Sequence, residues 1–415
     1  MQCDPRGGCN ARVTGSVILA AAEVRPGEFL AVVVTAAVAG TVSAIASGRG
    51  LLVPAVVVEL VLGVIIGPQL LGLEVSEFLE FFSALGLGML FFFAGYEIDL
   101  KRIAGEPLRL AALGWAISLA LAYTIGGILA AAGIVLSLLY TGSAIATTAI
   151  GTLIPILSDS GQLKTRFGTY LLAAGAVGEF GPILLVTLIL STGTALHNAA
   201  ILLAFVVLAV VVALLAMRSS HHTLTLFERT LEKSSQLAVR WVVVLVFALA
   251  LLAYELGLDL LLGGFAAGLI TRQLLSKREI PGFDTRLTAL GFGFFIPFFF
   301  VVSGMQLDID ALFASVSGVA KLVVFFGLFL VVRGTPALLL YRDVLDHRAR
   351  LALAFFSSTQ LPLVLAITTL AVDEGHMRSS TAAALIGAAV LSTLVYPILG
   401  LRLRAESPSA VEVPA

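Results

Sequence analysis

A glutamate in the middle of a long apolar run is the residue with the clearest chemical meaning in this chain. Glu179 lies in Leu171-Leu-Ala-Ala-Gly-Ala-Val-Gly-Glu-Phe-Gly-Pro-Ile-Leu-Leu185. At 1.5 Å per helical residue it is about 16 Å from each face of its run. An ionisable group at that depth costs about 2.5 kcal/mol or more, so it needs a partner, water or a function. Gly175, Gly178 and Gly181 leave room around it. A carboxyl in such a partly desolvated cavity can alternate between holding a proton and holding a cation. Arg333 is the second such residue, near the middle of 322–341, a stretch with no other charge. It is permanently charged and cannot itself carry the proton. It can pair with Glu179 or with the dipole ends of interrupted helices.

Interrupted helices are indicated twice. The run 134–157 holds Thr147, Thr148, Gly151 and Pro155, and the run 350–371 holds Ser357, Ser358, Thr359, Gln360 and Pro362. Prolines and clustered hydroxyls inside apolar runs point to locally unwound backbone, whose free carbonyls and opposed helix ends can hold an ion. Glu59 is expected to make a structural hydrogen bond, with the lining of a water-filled cavity as its other reading. Glu97 and Asp99 sit at a helix end beside Lys101 and Arg102, as interfacial charges first and pathway residues second. Lys321, nearer the other end of its run, can snorkel to the interface.

The elements that must position these residues are membrane spans. Of 415 residues, 59% are hydrophobic and 12% charged, against about 25% charged in soluble domains. The apolar runs come close to the twenty residues that cross about 30 Å of hydrocarbon as helix. Breaks between them give thirteen: 29–46, 51–71, 81–96, 108–131, 134–157, 168–192, 198–217, 237–255, 257–271, 287–304, 312–341, 350–371 and 380–401. With the N-terminus outside, inner loops hold nineteen of the 25 Lys and Arg, and outer loops hold only Arg378. An even number of spans scrambles that asymmetry. The fold class expected is therefore an all-α membrane protein with about thirteen transmembrane helices. Residues 1–28 form an extracytoplasmic tail, 29–402 the transmembrane domain and 403–415 a short cytoplasmic tail, in the cell membrane.

A weak internal repeat relates the halves. Gly63-Val-Ile-Ile-Gly-Pro-Gln-Leu-Leu71 resembles Ala267-Gly-Leu-Ile-Thr-Arg-Gln-Leu-Leu275, Phe91-Phe-Phe-Ala-Gly-Tyr-Glu-Ile-Asp99 resembles Phe300-Val-Val-Ser-Gly-Met-Gln-Leu-Asp308, and Ala146-Thr-Thr-Ala149 resembles Ser357-Ser-Thr-Gln360. Seven spans separate equivalents, so the repeats are inverted. That pattern marks secondary transporters with a site at the repeat interface. Other classes fare poorly. Net charge is −1, with no global field for nucleic acid. The five histidines form no H-E-x-x-H pattern, and no G-x-S-x-G stretch or pair of mid-membrane Asp residues is evident, so no enzyme is expected. Cys3 and Cys9 are too few for a disulfide scaffold and lack metal-site partners. Residues 13–24 form a short apolar stretch, taken as part of the tail.

Five ordered stretches give the chain a resemblance to the monovalent cation:proton antiporter superfamily, in the branch of Kef-type efflux antiporters and bacterial sodium/proton exchangers. They are Val53-Pro-Ala…Gly63-Val-Ile-Ile-Gly-Pro68, Leu90-Phe-Phe-Phe-Ala-Gly-Tyr-Glu-Ile-Asp99, Ala146-Thr-Thr-Ala149, Gly263-Gly-Phe-Ala-Ala-Gly268 and Phe298-Phe-Phe-Val-Val-Ser-Gly-Met305. The resemblance implies an inverted-repeat antiporter-like fold with two broken, crossing helices. It further implies a homodimer with spans 1–3 and 8–10 as scaffold, and spans 4–6 and 11–13 as a moving core. The implied activity is exchange of Na+ or K+ for H+. Glu179 takes the place of the family's ion-site acid, with Thr147, Thr148, Thr359 and Gln360 beside it and Arg333 as the membrane cation. Two positions depart from the pattern. Gly178 stands where the family has Asp, Asn or Gln, and Gln360 where members often have Glu. Paired carboxylates go with electrogenic exchange and Asn-Asp with electroneutral exchange; Gly-Glu matches neither, which leaves stoichiometry open. No cofactor is implied, and gating by a nucleotide-binding domain, common in the Kef branch, is not expected. The alternative is the same fold moving another solute, such as an organic anion with Arg333 as its ligand.

Overall fold

Apolar segments that cross hydrocarbon must satisfy every backbone N–H and C=O within themselves, which leaves the helix as their form. The computed structural model describes residues 25–49, 53–190, 195–218, 235–256, 258, 260–275, 282–313 and 316–405. The cysteines, the apolar stretch 13–24 and the end of the C-terminal tail lie outside the described residues. All regular structure among them is helical. In chain order the helices are α1 (Pro26–Gly48), α2 (Ala55–Ile66), α3 (Glu77–Tyr96), the short α4 (Leu100–Ile103), α5 (Glu106–Ala131), α6 (Leu138–Ile145), α7 (Ile150–Asp159), α8 (Arg166–Leu190) and α9 (Ala195–Arg218). Then come α10 (Leu237–Glu255), α11 (Leu260–Leu275), α12 (Phe283–Leu290), a π turn over Gly291–Phe295, α13 (Ile296–Met305), the short α14 (Ile309–Phe313), α15 (Val316–Leu340), α16 (His347–Ser357), α17 (Pro362–Asp373) and α18 (Ser379–Ala405).

Nine helical segments among the described residues are long and apolar enough to cross a membrane, with α16–α17 taken as one. Four shorter apolar helices, Ala55–Ile66, Leu138–Ile154, Ala200–Val212 and Leu261–Leu275, complete the thirteen expected spans. The fifth span is α6 plus α7, the tenth is α12 through α13, and the twelfth is α16 plus α17. Breaks in the fifth and twelfth fall at 146–149 and 358–361. Pro362 opens α17, a position that asks no N–H of it. Pro155, by contrast, lies inside α7 and not at the break. Side chains supply missing backbone partners elsewhere: Ser137 caps α6 and Asp346 caps α16.

The inverted repeat is visible in packing. The second span, α2, lies on the tenth, α13, while the ninth, α11, lies on the third, α3. Equivalent glycines make both crossings close. A Cβ on Gly95 of α3 would stand 2.2 Å from the carbonyl oxygen of Phe265, and one on Gly304 of α13 would stand 2.1 Å from that of Leu60. Only a hydrogen fits at such approaches. The turns that end the broken spans match as well. Gly161 follows α7 at φ +68° and Gly375 follows α17 at φ +74°. After the first, the N–H groups of Gln162 and Leu163 return to Leu157; after the second, those of His376 and Met377 return to Ala371. Such closures need a left-handed residue, which glycine supplies without strain.

Helices α5 to α8 and α15 to α18 pack on one another, and α2, α3, α11 and α13 form a second group. Cavities lie between the groups, and two of them stand towards opposite ends. The first, about 210 Å³, is lined by Tyr96, Glu97 and Arg272 from one group and Ile150, Ile154 and Leu172 from the other. The second, about 300 Å³, is lined by Glu80, Ser303 and Gln306 on one side and Leu365, Thr368 and Asp373 on the other.

Candidate functional site

The two breaks cross. Ala149 N–H donates to the Thr359 carbonyl at 2.8 Å, and Thr148 Oγ1 donates to the Ser357 carbonyl at 2.6 Å. Gln360 spans the crossing in the other direction. Its Nε2 donates to the Ile145 carbonyl at 3.1 Å, and its Oε1 accepts from Thr147 Oγ1 at 3.0 Å. These contacts occupy carbonyls at the ends of α6 and α16 that have no partner within their own helices. From α18, Ser392 Oγ accepts the Gln360 N–H, and Thr393 Oγ1 donates to the Gln360 carbonyl. Gln360 is fully buried, and it holds the two interrupted spans together without a charge.

Glu179 meets this crossing from α8. Its carboxyl is 3% exposed, and Oε2 accepts the N–H of Ile150, the first residue of α7, at 3.2 Å. The N-terminal end of a helix supports negative charge. The ten-residue α7 therefore aims its positive end at the one buried carboxylate of this cluster. Ile150 also lines the first cavity, so the Glu179 end of α7 is reached from the face that carries Asp99, Arg102 and Arg272.

Prolines prepare the backbone here. Pro182 lies inside α8 and has no N–H, which frees the carbonyl four residues back, on Gly178. That carbonyl accepts the Thr148 N–H at 3.0 Å, tying α8 to the break of the fifth span. Pro336 inside α15 frees the carbonyl of Val332 in the same way. Ser118 Oγ on α5 donates to it at 2.9 Å.

Arg333 joins the pieces. It is 4% exposed, and its Nε donates to Thr148 Oγ1 at 2.9 Å, Nη1 to Ser118 Oγ at 3.2 Å and Nη2 to the Ala174 carbonyl at 3.2 Å. Each hydroxyl passes the contact on, Thr148 to the end of α16 and Ser118 to the freed carbonyl of α15. Among the described residues no carboxylate comes within ion-pair distance of Arg333. Of its two sequence-level readings, pairing with Glu179 is therefore not realised; the contact with the broken helices is. The guanidinium also explains Gly178. A Cβ there would stand 2.3 Å from Arg333 Nη2 and 2.8 Å from Thr148 Oγ1, so the arginine occupies the space of the missing side chain.

Other expected residues fall at varying distances. Thr147, Thr148, Thr359, Gln360, Glu179 and Arg333 all gather at the crossing. Glu97 ends α3 and lines the first cavity with Asp99, and its Oε2 lacks a hydrogen-bond partner within the protein. Glu59 is 5% exposed on α2. Its Oε2 has no protein partner, so the structural hydrogen bond expected of it is not made by that oxygen. Lys321 reaches Thr381 Oγ1 on α18. Sequence reasoning missed Ser118, Ser392 and Thr393, single hydroxyls in apolar helices with no pattern to mark them. Pro182 and Pro336 were a usable signal, because a proline inside an unbroken apolar helix frees a carbonyl at a known position.

Comparison with known proteins adds the family. A model of the transmembrane sodium/hydrogen exchanger matches residues 33–401. The chain belongs to the sodium/hydrogen exchanger family. It is 32% identical over 267 residues to "Probable Na(+)/H(+) antiporter 3" of Methanocaldococcus jannaschii, a match covering 63% of this chain and 67% of that one. It is 27% identical over 380 residues to "Putative Na(+)/H(+) antiporter YjbQ" of Bacillus subtilis, covering 86% of this chain and 60% of that longer protein. The solved sodium proton antiporter MjNhaP1 from Methanocaldococcus jannaschii has the same fold, with a TM-score of 0.64 at 16% identity over 91% of this chain and 99% of that one. The exchanger family groups transporters, not enzymes, and this member is a multi-pass membrane protein.

Proposed function

We propose that this exchanger swaps a monovalent cation, Na+ or K+, for H+ by alternating access, with Glu179 as the carboxylate both ions share. One observation carries the reading: a buried carboxylate sits at the crossing of two broken spans, on the N-terminus of α7, whose first residue Ile150 lines the first cavity. A proton and a cation cannot both occupy that carboxylate, so binding of one releases the other. Unwound backbone at the crossing supplies oxygens for a partly dehydrated cation. Thr147, Thr359 and Gln360 shape that site. Thr148 acts mainly by holding Arg333, and Arg333 fixes the break against α5 and α8.

In this reading α5 to α8 and α15 to α18 form the moving core, and spans 1–3 and 8–10 the scaffold of a homodimer. Glu97 and Asp99 line the path on the cytoplasmic side, given that basic residues favour that side. The N-terminus is then outside and the C-terminus cytoplasmic. An organic anion on Arg333 is the weaker reading, because all three guanidinium nitrogens already donate to protein acceptors.

Proteoliposomes test the assignment directly. Cation-driven proton movement is expected in the wild type and abolished in Glu179→Gln, which keeps the shape and loses the exchangeable charge. Undiminished exchange in that variant overturns the role of Glu179.

A further inference from the structure

Among the described residues, core and scaffold meet through a pair of aromatic rings at one place. Phe180 of α8 stacks on Phe265 of α11, with ring centroids 4.6 Å apart and planes 13° from parallel. The other described ring pairs stay within the core or within the scaffold. Phe180 follows Glu179 in the chain. One residue turns a helix by about 100°, so the carboxyl meets the end of α7 while the neighbouring ring meets the scaffold. Phe265 is 2% exposed, and its helix is held fast. A Cβ on Gly264 would stand 2.5 Å from the carbonyl oxygen of Gly88, and one on Gly268 would stand 2.0 Å from that of Phe92, so α11 lies directly on α3 to either side of the ring.

The stack lies beneath a cavity. This space of about 380 Å³ adjoins the second cavity and shares Glu80, Ser303, Gln306 and Asp373 with it. It descends from Glu80 to Leu87 along α3 and from Asp373 to Ala366 along α17, in each case about 10 Å of helix. Its deep end is apolar, at Leu87, Leu261 and Ala366. One helical turn further on, α11 carries Phe265, and α17 begins at Pro362 beside the crossing. The first cavity reaches Ile150 from the opposite end. The two rings therefore stand between Glu179 and the far cavity, on the side away from the first.

We infer that Phe180 and Phe265 form the seal that keeps Glu179 from opening to both faces at once, and that the rings must part before ions enter from the far side. An apolar constriction excludes ions by shedding water, and needs no charge to do so. The rings ride on opposite groups, so the movement that opens the far cavity to the crossing also separates them. Without the seal, Glu179 trades protons with both sides in a single form. Protons then cross with no cation returning. The inference rests on the antiport reading centred on Glu179.

The test is proton leak in proteoliposomes under an imposed pH gradient, in choline thiocyanate free of Na+ and K+, with thiocyanate carrying the compensating charge. Wild type is expected to hold the gradient. Phe265→Ala is expected to lose it, and Phe265→Ala combined with Glu179→Gln to hold it again. Phe329→Ala controls for general loosening, because that ring is fully buried on α15, which packs on α5, α16 and α18 within the core. It is expected to hold the gradient. A Phe265→Ala variant no leakier than wild type, a leak that survives Glu179→Gln, or an equal leak in Phe329→Ala overturns the seal. The antiport reading stands in each case as long as wild type couples cation and proton fluxes; if it does not, both fall. A second variant serves where Phe265→Ala does not fold. Phe180→Cys with Phe265→Cys, in a chain whose Cys3 and Cys9 are replaced by serine, is joined during turnover by a short bifunctional thiosulfonate. Exchange is expected to stop on joining and to return on reduction. Exchange that continues with the two positions joined overturns the inference.

Discussion

Arg333 and Glu179 lie at one broken span without forming an ion pair, and their separation gives them separate work. Thr148 is the joint: its hydroxyl accepts from Arg333 Nε and donates to the Ser357 carbonyl. Thr148→Val keeps the volume and leaves both groups without that partner. Each buried polar group left unsatisfied costs about 1–3 kcal/mol. Thermal unfolding in detergent is expected to show that loss together with slowed exchange, while Thr148→Ser stays close to wild type. A valine variant as stable and as active as the parent sinks the joint. Glu179 carries a different prediction, about pH. With one carboxylate serving both ions, as proposed, acidifying the cation-loading side is expected to raise the cation concentration for half-maximal exchange, by up to about tenfold per pH unit, and never to lower it. Initial rates across a pH series read this directly. The carboxylate was legible in the sequence because charge at mid-span is rare. The reason for Gly178 was not, because it depends on an arginine 155 positions away in the chain folding over it.

At the scale of elements, the prolines act on carbonyls rather than on helix direction. Pro182 and Pro336 sit in helices that continue through them, and each frees one oxygen used by a neighbouring span. Pro182→Ala returns an N–H that competes with Thr148 for the Gly178 carbonyl. An alanine in a helix interior is also favoured over proline by about 3 kcal/mol. The expected outcome is a protein at least as stable on thermal unfolding, with slower cation-driven proton movement. Faster exchange or unchanged exchange counts against a role for the freed carbonyl. The sequence located both broken spans through their hydroxyls and repeat positions, and the hydroxyl clusters at 147–148 and 357–360 fall where the breaks are. Pro155 alone was no guide to the break, since it lies inside α7 rather than at 146–149. Span ends drifted by several residues where polar caps extend the helix beyond its apolar run, as in α16, which begins at His347 behind Asp346.

For the molecule as a whole, the two cavities lie at opposite ends of one boundary. Glu80 and Glu97 mark those ends on α3, seventeen residues and so about 25 Å apart along the helix axis. Only the cavity of Glu97 includes Ile150, the residue that holds Glu179. In the form described the first cavity reaches the residue that holds Glu179, and alternating access requires a second form in which the other cavity reaches the crossing. The chain's charge pattern and repeat made thirteen spans readable from sequence, but which cavity reaches the crossing depends on packing between helices hundreds of residues apart. Two cysteines, introduced after Cys3 and Cys9 are replaced by serine, can follow the change. Ile154→Cys lines the first cavity, and Leu365→Cys lines the second and is 2% exposed. In oriented vesicles a membrane-impermeant maleimide is expected to label position 154 faster than 365 in the resting state, each from its own side. Imposing an opposed cation and proton gradient must then change the two rates in opposite directions, since one rigid movement closes one cavity as it opens the other. Glu179→Gln, unable to exchange its ligand, is expected to lose that response. Rates at the two positions that rise together, or stay fixed under turnover, would rule out a single moving core.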